Sequence, residues 1–318
     1  MVKIDLITGF LGSGKTTFIK KYATYLMRKG LNIGILENDH GAVNVDMMLL
    51  QELRGDQCEL EMISGGCDAE THRRRFRTKL ISMGMCGYDR VLVEPSGIYD
   101  IDEFLGAVVE NELNELDNWY EIGNVIAVVN AGLEETLSDQ AEFLLASEVA
   151  DAGSIILSRS QEVPVTKQDA TIEHLNRSLV KLGCRRQIKG DEVLRSPWNE
   201  WTEREFEQVL NGGYCTESYR KPEYREDQGF QSLYYMNLQI KKEELKEKMK
   251  EALKDPACGK LFRIKGFMQD ENEKWIELNA TQYEIQMNPV GEGQNVLIVI
   301  GEGLEEDALA KYFGTPAR

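Results

Sequence analysis

The sequence predicts an α/β fold, a parallel sheet with helices on both faces, followed by a small α+β domain. Three observations carry that expectation. Strand-like and helix-like patterns alternate through the first 190 residues. The strand-like runs are almost continuously apolar, as in Val125-Ile126-Ala127-Val128-Val129, which marks strands buried on both faces. After residue 229 the order changes to strand, helix, strands, strand, helix. At 318 residues and 42% hydrophobic content there is material for about two cores. The expected division is a first domain over 1–190, a linker over 191–229 and a second domain over 230–318.

The first strand is the apolar stretch 2–7, and 18–27 reads as the helix that follows it. Further strands are expected at 31–37, 59–64, 90–94, 125–130 and 154–158, with helices at 71–83, 101–116, 134–150 and 167–182. The pattern breaks from about 185 to 229, where Pro197, Pro222, Gly212-Gly213 and the charged run 220–227 suggest a linker holding one helix, 202–210. Trp198 and Trp201 are expected to pack that linker against a domain. The second domain opens with strand 230–239 and a Glu/Lys-rich helix at 242–253. A hairpin, 260–269 and 274–278, turns at 270–273. Strand 296–301 and helix 305–313 close the chain.

Between the first strand and its helix lies Gly9-Phe10-Leu11-Gly12-Ser13-Gly14-Lys15-Thr16-Thr17, a complete phosphate-binding loop in the strand–turn–helix context that the motif requires. Gly12, Ser13, Gly14 and Thr17 let backbone N–H groups converge on phosphate oxygens at the positive end of the helix. Lys15 would reach the β- and γ-phosphates, and the Thr16 hydroxyl would bind Mg²⁺. A nucleoside triphosphate is the predicted ligand.

Ligands of such sheets bind beyond the carboxyl ends of the strands, so the strand ends carry the next clues. The second strand runs into Glu37-Asn38-Asp39-His40-Gly41, with Asp46 a few residues on. Glu37, Asp39 and Asp46 suit Mg²⁺ or an attacking water, although an ordinary polar turn has the same composition. Glu94 ends the strand 91–93, where an outer Mg²⁺ ligand is needed, and Gly97 is placed to give its N–H to the γ-phosphate. Lys15, Glu94 and Asp39 are thus the residues expected to carry chemistry.

Composition excludes several classes. Against 37 basic residues stand 54 acidic ones, a formal charge of −17, so no phosphate-neutralising excess exists and nucleic acid is not expected as a partner. No apolar run approaches the roughly 20 residues of a membrane helix. The chain enters a strand at once, so no signal peptide is expected. Six cysteines (Cys58, Cys67, Cys86, Cys184, Cys215, Cys258) form no CxxC pair and read as reduced thiols. A cytoplasmic location is expected.

In the order 9–17, 38–46, Glu94-Pro95-Ser96-Gly97 and Arg263-Ile264-Lys265-Gly266, these segments resemble the CobW-type GTPases of the CobW/HypB/UreG class. The resemblance covers nearly the whole chain and is weakest over 185–229. It implies a P-loop protein that hydrolyses GTP, slowly without a partner, to deliver a metal or assemble a metallocofactor in a client metalloprotein or cofactor protein. A nucleotide-dependent homodimer is a further implication.

Two departures stand out. The family's metal motif is Gly-Cys-x-Cys-Cys, whereas this chain has Gly66-Cys67-Asp68-Ala69-Glu70-Thr71-His72. Only Cys67 matches, so a tris-thiolate site for Zn²⁺ or another transition metal is lost. Cys67, Asp68, Glu70 and His72 could form a mixed site; the last three could equally cap and decorate a helix. The family's base-reading Asn/Ser/Thr-Lys-x-Asp is here Ser158-Arg159-Ser160-Gln161. Arg159 can stack on a purine, and Gln161 can bond guanine, but without a charge-assisted pair. GTP is favoured, with ATP or relaxed specificity as the alternative. A regulatory switch that binds no metal of its own is the competing function. Arg73-Arg74-Arg75 reads as a solvated helix face, and Arg263 with Lys265 as one face of a strand.

Overall fold

The structure, a computed structural model, describes residues 1–38, 45–63, 69–95, 120–219, 230–282 and 284–317. Two compact units are present, Met1–Pro222 and Glu223–Arg318. The helix expected at 101–116 lies outside the described residues.

In the first unit, seven parallel strands have the order β3-β2-β4-β1-β5-β6-β7. They are β1 (Val2–Thr8), β2 (Ile33–Asn38), β3 (Cys58–Ile63), β4 (Arg90–Pro95), β5 (Tyr120–Asn130), β6 (Ser154–Ser158) and β7 (Val193–Leu194). Every residue of β2, β4 and β6 is buried. That burial explains the unbroken apolar runs, because polar alternation would put side chains into a covered face.

The helices of this unit are α1 (Lys15–Arg28), α2 (Val45–Leu50), α3 (Ala69–Gly84), α4 (Asp139–Ala150), α5 (Val165–Lys181) and α6 (Glu203–Leu210). Along α1, Phe18, Ile19, Tyr22, Ala23 and Leu26 are buried, the stripe expected of a helix lying on a sheet. Each large apolar member contributes about 1.5–3 kcal/mol by leaving water.

One charge sits inside this core. Asp5, fully buried on β1, takes an ion pair from Arg90 of β4, a 3.0 Å hydrogen bond from the Tyr22 hydroxyl of α1 and a 3.1 Å bond from Asn124 of β5. Burial of an isolated carboxylate is prohibitive, and three partners from three elements offset it.

The stretch 191–219, expected as part of a linker, belongs instead to the first unit. β7 adds to β6 in register Ile155↔Val193. Gly213 accepts from the Val125 N–H at 3.0 Å and donates to the Asn124 side chain at 2.7 Å. α6, started by a Thr202–Glu205 capping box, lays Phe206 on Tyr25 with ring centroids 4.7 Å apart. Trp198 and Trp201 meet Phe18 edge-on. The composition looked like a linker because the apolar residues here are few and their partners lie almost two hundred positions earlier.

The second unit is an antiparallel sheet of order β11-β10-β9-β12-β8. Its strands are β8 (Phe230–Met236), β9 (Lys260–Gln269), β10 (Trp275–Ala280), β11 (Ile285–Pro289) and β12 (Val296–Glu302). Helices α7 (Lys242–Ala252) and α8 (Glu306–Phe313) give Leu245, Met249, Leu309 and Phe313 to its core. The edge strand β11 was not foreseen; its partly exposed residues leave no apolar run.

Candidate functional site

The switch in strand order falls at β1, whose neighbours are β4 and β5, and the glycine-rich loop leaves the sheet there. Gly9 has φ 150° and Gly14, the residue before α1, has φ 99° in the left-handed region. A Cβ at Gly9 would lie 2.2 Å from the Val128 carbonyl oxygen on β5. Gly9→Ala is therefore expected to cost at least about 1–3 kcal/mol of stability through backbone strain alone. Calorimetric melting checks this, and an unchanged Tm would contradict it.

Lys15 is buried, and its Nζ donates to the Gly9 carbonyl at 2.7 Å, so the ammonium lies back across its own loop. The Thr16 hydroxyl donates to Oε1 of Glu94 at 2.9 Å, joining the first turn of α1 to the tip of β4. Glu37 is the register neighbour of Glu94, and both are at most 4% exposed. Two carboxylates thus stand side by side at the carboxyl edge of the sheet, with an alcohol beside one of them. This all-oxygen set suits a hard divalent cation such as Mg²⁺.

Buried polar groups nearby lack protein partners. The Ser13 hydroxyl and both side-chain amide atoms of Asn38 meet no hydrogen-bond partner among the described residues. Orphaned polar atoms converging on one edge are what a polar ligand would satisfy. Asn38 was not singled out from sequence as a site residue, although its position at the strand tip beside Glu37 was a usable signal.

On the other side of the loop, Ser158 ends β6 and its hydroxyl donates to the Val129 carbonyl at 3.4 Å. Arg159 has φ 54°, and Ser160 opens a single helical turn on which Gln161 is exposed. Gly12 and Gly14 lie in the loop, and Thr17 is exposed on the first turn of α1. Asp39, Gly97, Cys67 and Asp68 lie outside the described residues, as do the side chains of Asp46, Glu70 and His72. Among the described residues, no group of three or more His, Cys, Asp and Glu could hold a metal ion. Nor is any described helix long and apolar enough to cross a membrane.

A glycine-rich loop between the central strand and its helix, a lysine folded into that loop and a hydroxyl–carboxylate pair beside it define a P-loop nucleotide-binding fold. Residues 3–188 match the family model "CobW/HypB/UreG, nucleotide-binding domain", and residues 237–315 match "Cobalamin synthesis protein cobW C-terminal domain". The chain belongs to the CobW/HypB/UreG family. It is 26% identical over 195 residues to the zinc chaperone YjiA of Escherichia coli strain K12, covering 59% of this chain and 56% of YjiA. The zinc chaperone YeiR of the same organism is 37% identical over 101 residues, 31% of this chain and 29% of YeiR. The zinc-regulated GTPase metalloprotein activator 1 of Dictyostelium discoideum is 25% identical over 143 residues, 40% of this chain and 29% of that protein. The matched stretch spans 56% of YjiA's length and 29% of each of the other two.

Proposed function

We propose that this protein binds GTP with Mg²⁺ and hydrolyses it to drive delivery of a metal ion, or assembly of a metallocofactor, in a client protein. The observation that carries the reading is the Thr16–Glu94 hydrogen bond beside the buried Lys15. Lys15 would leave the Gly9 carbonyl for phosphate oxygens, exchanging one neutral acceptor for charged ones. Thr16 and Glu94 would hold the cation, which supplies charge neutralisation at the β- and γ-phosphates when bound. Asp39 and Gly97 are proposed to orient the attacking water and the γ-phosphate. Family membership and the relatives' zinc-related names support a metal as cargo.

Glu94→Gln tests the hydrolytic half. The amide oxygen keeps the Thr16 bond but loses the charge, so turnover with Mg²⁺ is expected to fall about 10²-fold. Phosphate release at saturating GTP reads this, and turnover within twofold of the parent would remove Glu94 from the mechanism.

A second reading, a nucleotide-dependent switch acting on a cofactor protein without binding metal, draws on Ala69 and Glu70 standing where the family carries cysteines. Equilibrium dialysis with zinc, cobalt and nickel separates the two. Stoichiometric binding lost in Cys67→Ala supports metal handling, and no binding to the parent supports the switch.

A further inference from the structure

The cation-binding end of the site is fixed on the β4 side of the loop by Thr16 and Glu94. The nucleoside must therefore extend toward β5, β6 and β7. Among the described residues, the groups that could read a base there are few. The Ser158 hydroxyl is turned onto the sheet, Gln161 is exposed, and no carboxylate occupies the segment 158–161.

What does stand there is an aromatic ring. Trp198 follows β7, and its ring edge reaches the loop: Cη2 lies 3.3 Å, and Cζ3 3.7 Å, from where a Cβ on Gly14 would be. The Ser158 Cβ lies 3.7 Å from the same point, so the indole and the tip of β6 both border Gly14 of the phosphate loop. Phe18 backs it at a centroid distance of 5.7 Å, fixing the ring's pose. The ring is half-buried, so part of it is open to solvent.

We propose that Trp198 is the base-holding residue of the nucleotide site, gripping the purine by its ring rather than by a hydrogen-bond code. The inference rests on the nucleotide-binding reading above and adds its specificity. Every purine offers a π-face, so recognition by stacking is tolerant of base identity. The preference for GTP over ATP is then less than tenfold, and Arg159 supplies a second planar surface.

The test measures GTP, ATP and inorganic tripolyphosphate, each with Mg²⁺, on the parent, Trp198→Ala and Trp198→Phe by titration calorimetry. Losing one base–aromatic stack is expected to weaken GTP and ATP alike by roughly tenfold or more in Trp198→Ala. Tripolyphosphate, which has no base, should bind that variant as it binds the parent, and Trp198→Phe should retain most of the purine affinity. Unchanged GTP affinity in Trp198→Ala overturns the proposal. So does an equal loss for tripolyphosphate, which would make Trp198 a prop for the loop. A parent preference for GTP above tenfold overturns the tolerance. Binding of neither nucleotide by the parent sinks the nucleotide reading itself, a result distinct from the other three.

Discussion

Lys15→Ala is expected to abolish the thermal stabilisation that GTP with Mg²⁺ gives the parent protein. The ammonium is the one cation folded into the phosphate loop among the described residues, and it is buried against the Gly9 carbonyl. A hydrogen bond to a charged group contributes about 1.5–3 kcal/mol, so removing one such bond weakens affinity about 10- to 100-fold. Melting curves with GTP, GDP, ATP and ADP, each with Mg²⁺, read the result. An Lys15→Ala protein still raised in Tm by GTP as much as the parent would disprove phosphate binding at this loop.

Glu148→Gln should make the protein more stable near pH 8 and leave it nearly unchanged near pH 5. Glu148 lies on α4, 1% exposed, and neither carboxyl oxygen meets a hydrogen-bond partner among the described residues. Burial pushes its carboxyl up to about 8, and the attraction of Lys15 offsets only part of that. Below the unfolded value near 4.5 the group is neutral in both states, so its ionisation takes nothing from stability. Between that value and about 8 the unfolded chain gives up the proton while the folded chain keeps it, so stability drains away as pH rises. Above 8 both forms are ionised and the loss levels off. The drain amounts to about 1.36 kcal/mol for each pH step of one, so the glutamine should recover about 2–5 kcal/mol at pH 8. Urea unfolding of both proteins across pH 5–9 measures it, and parallel profiles would refute the buried-acid account.

Much of the fold was legible because its signals are local. A glycine-rich turn sets its own backbone conformation, and the apolar runs of β4 and β6 need no knowledge of their neighbours to read as buried strands. The strand-tip position of Glu94 was legible for the same reason, one step past such a run. The segment 191–219 was not. β7 has only two residues, too few for any periodicity, and the approach of Trp198 to Gly14 and Phe18 is revealed by no local pattern. Glu148 is the inverse case. An acid in a helix normally reads as solvated, and only the packing of α4 places it inside.

The cover of α1 by α6 has a consequence for how the protein is made. Phe18 and Tyr25 leave the ribosome early, but Phe206 and Trp198, which close over them, follow roughly 180 residues later, about 10–40 s at ordinary synthesis rates. For that interval Phe18 and Tyr25 lack the rings that finally cover them. The nucleotide unit thus reaches its finished form late in translation, and transient shelter by a chaperone would matter most for its very first helix.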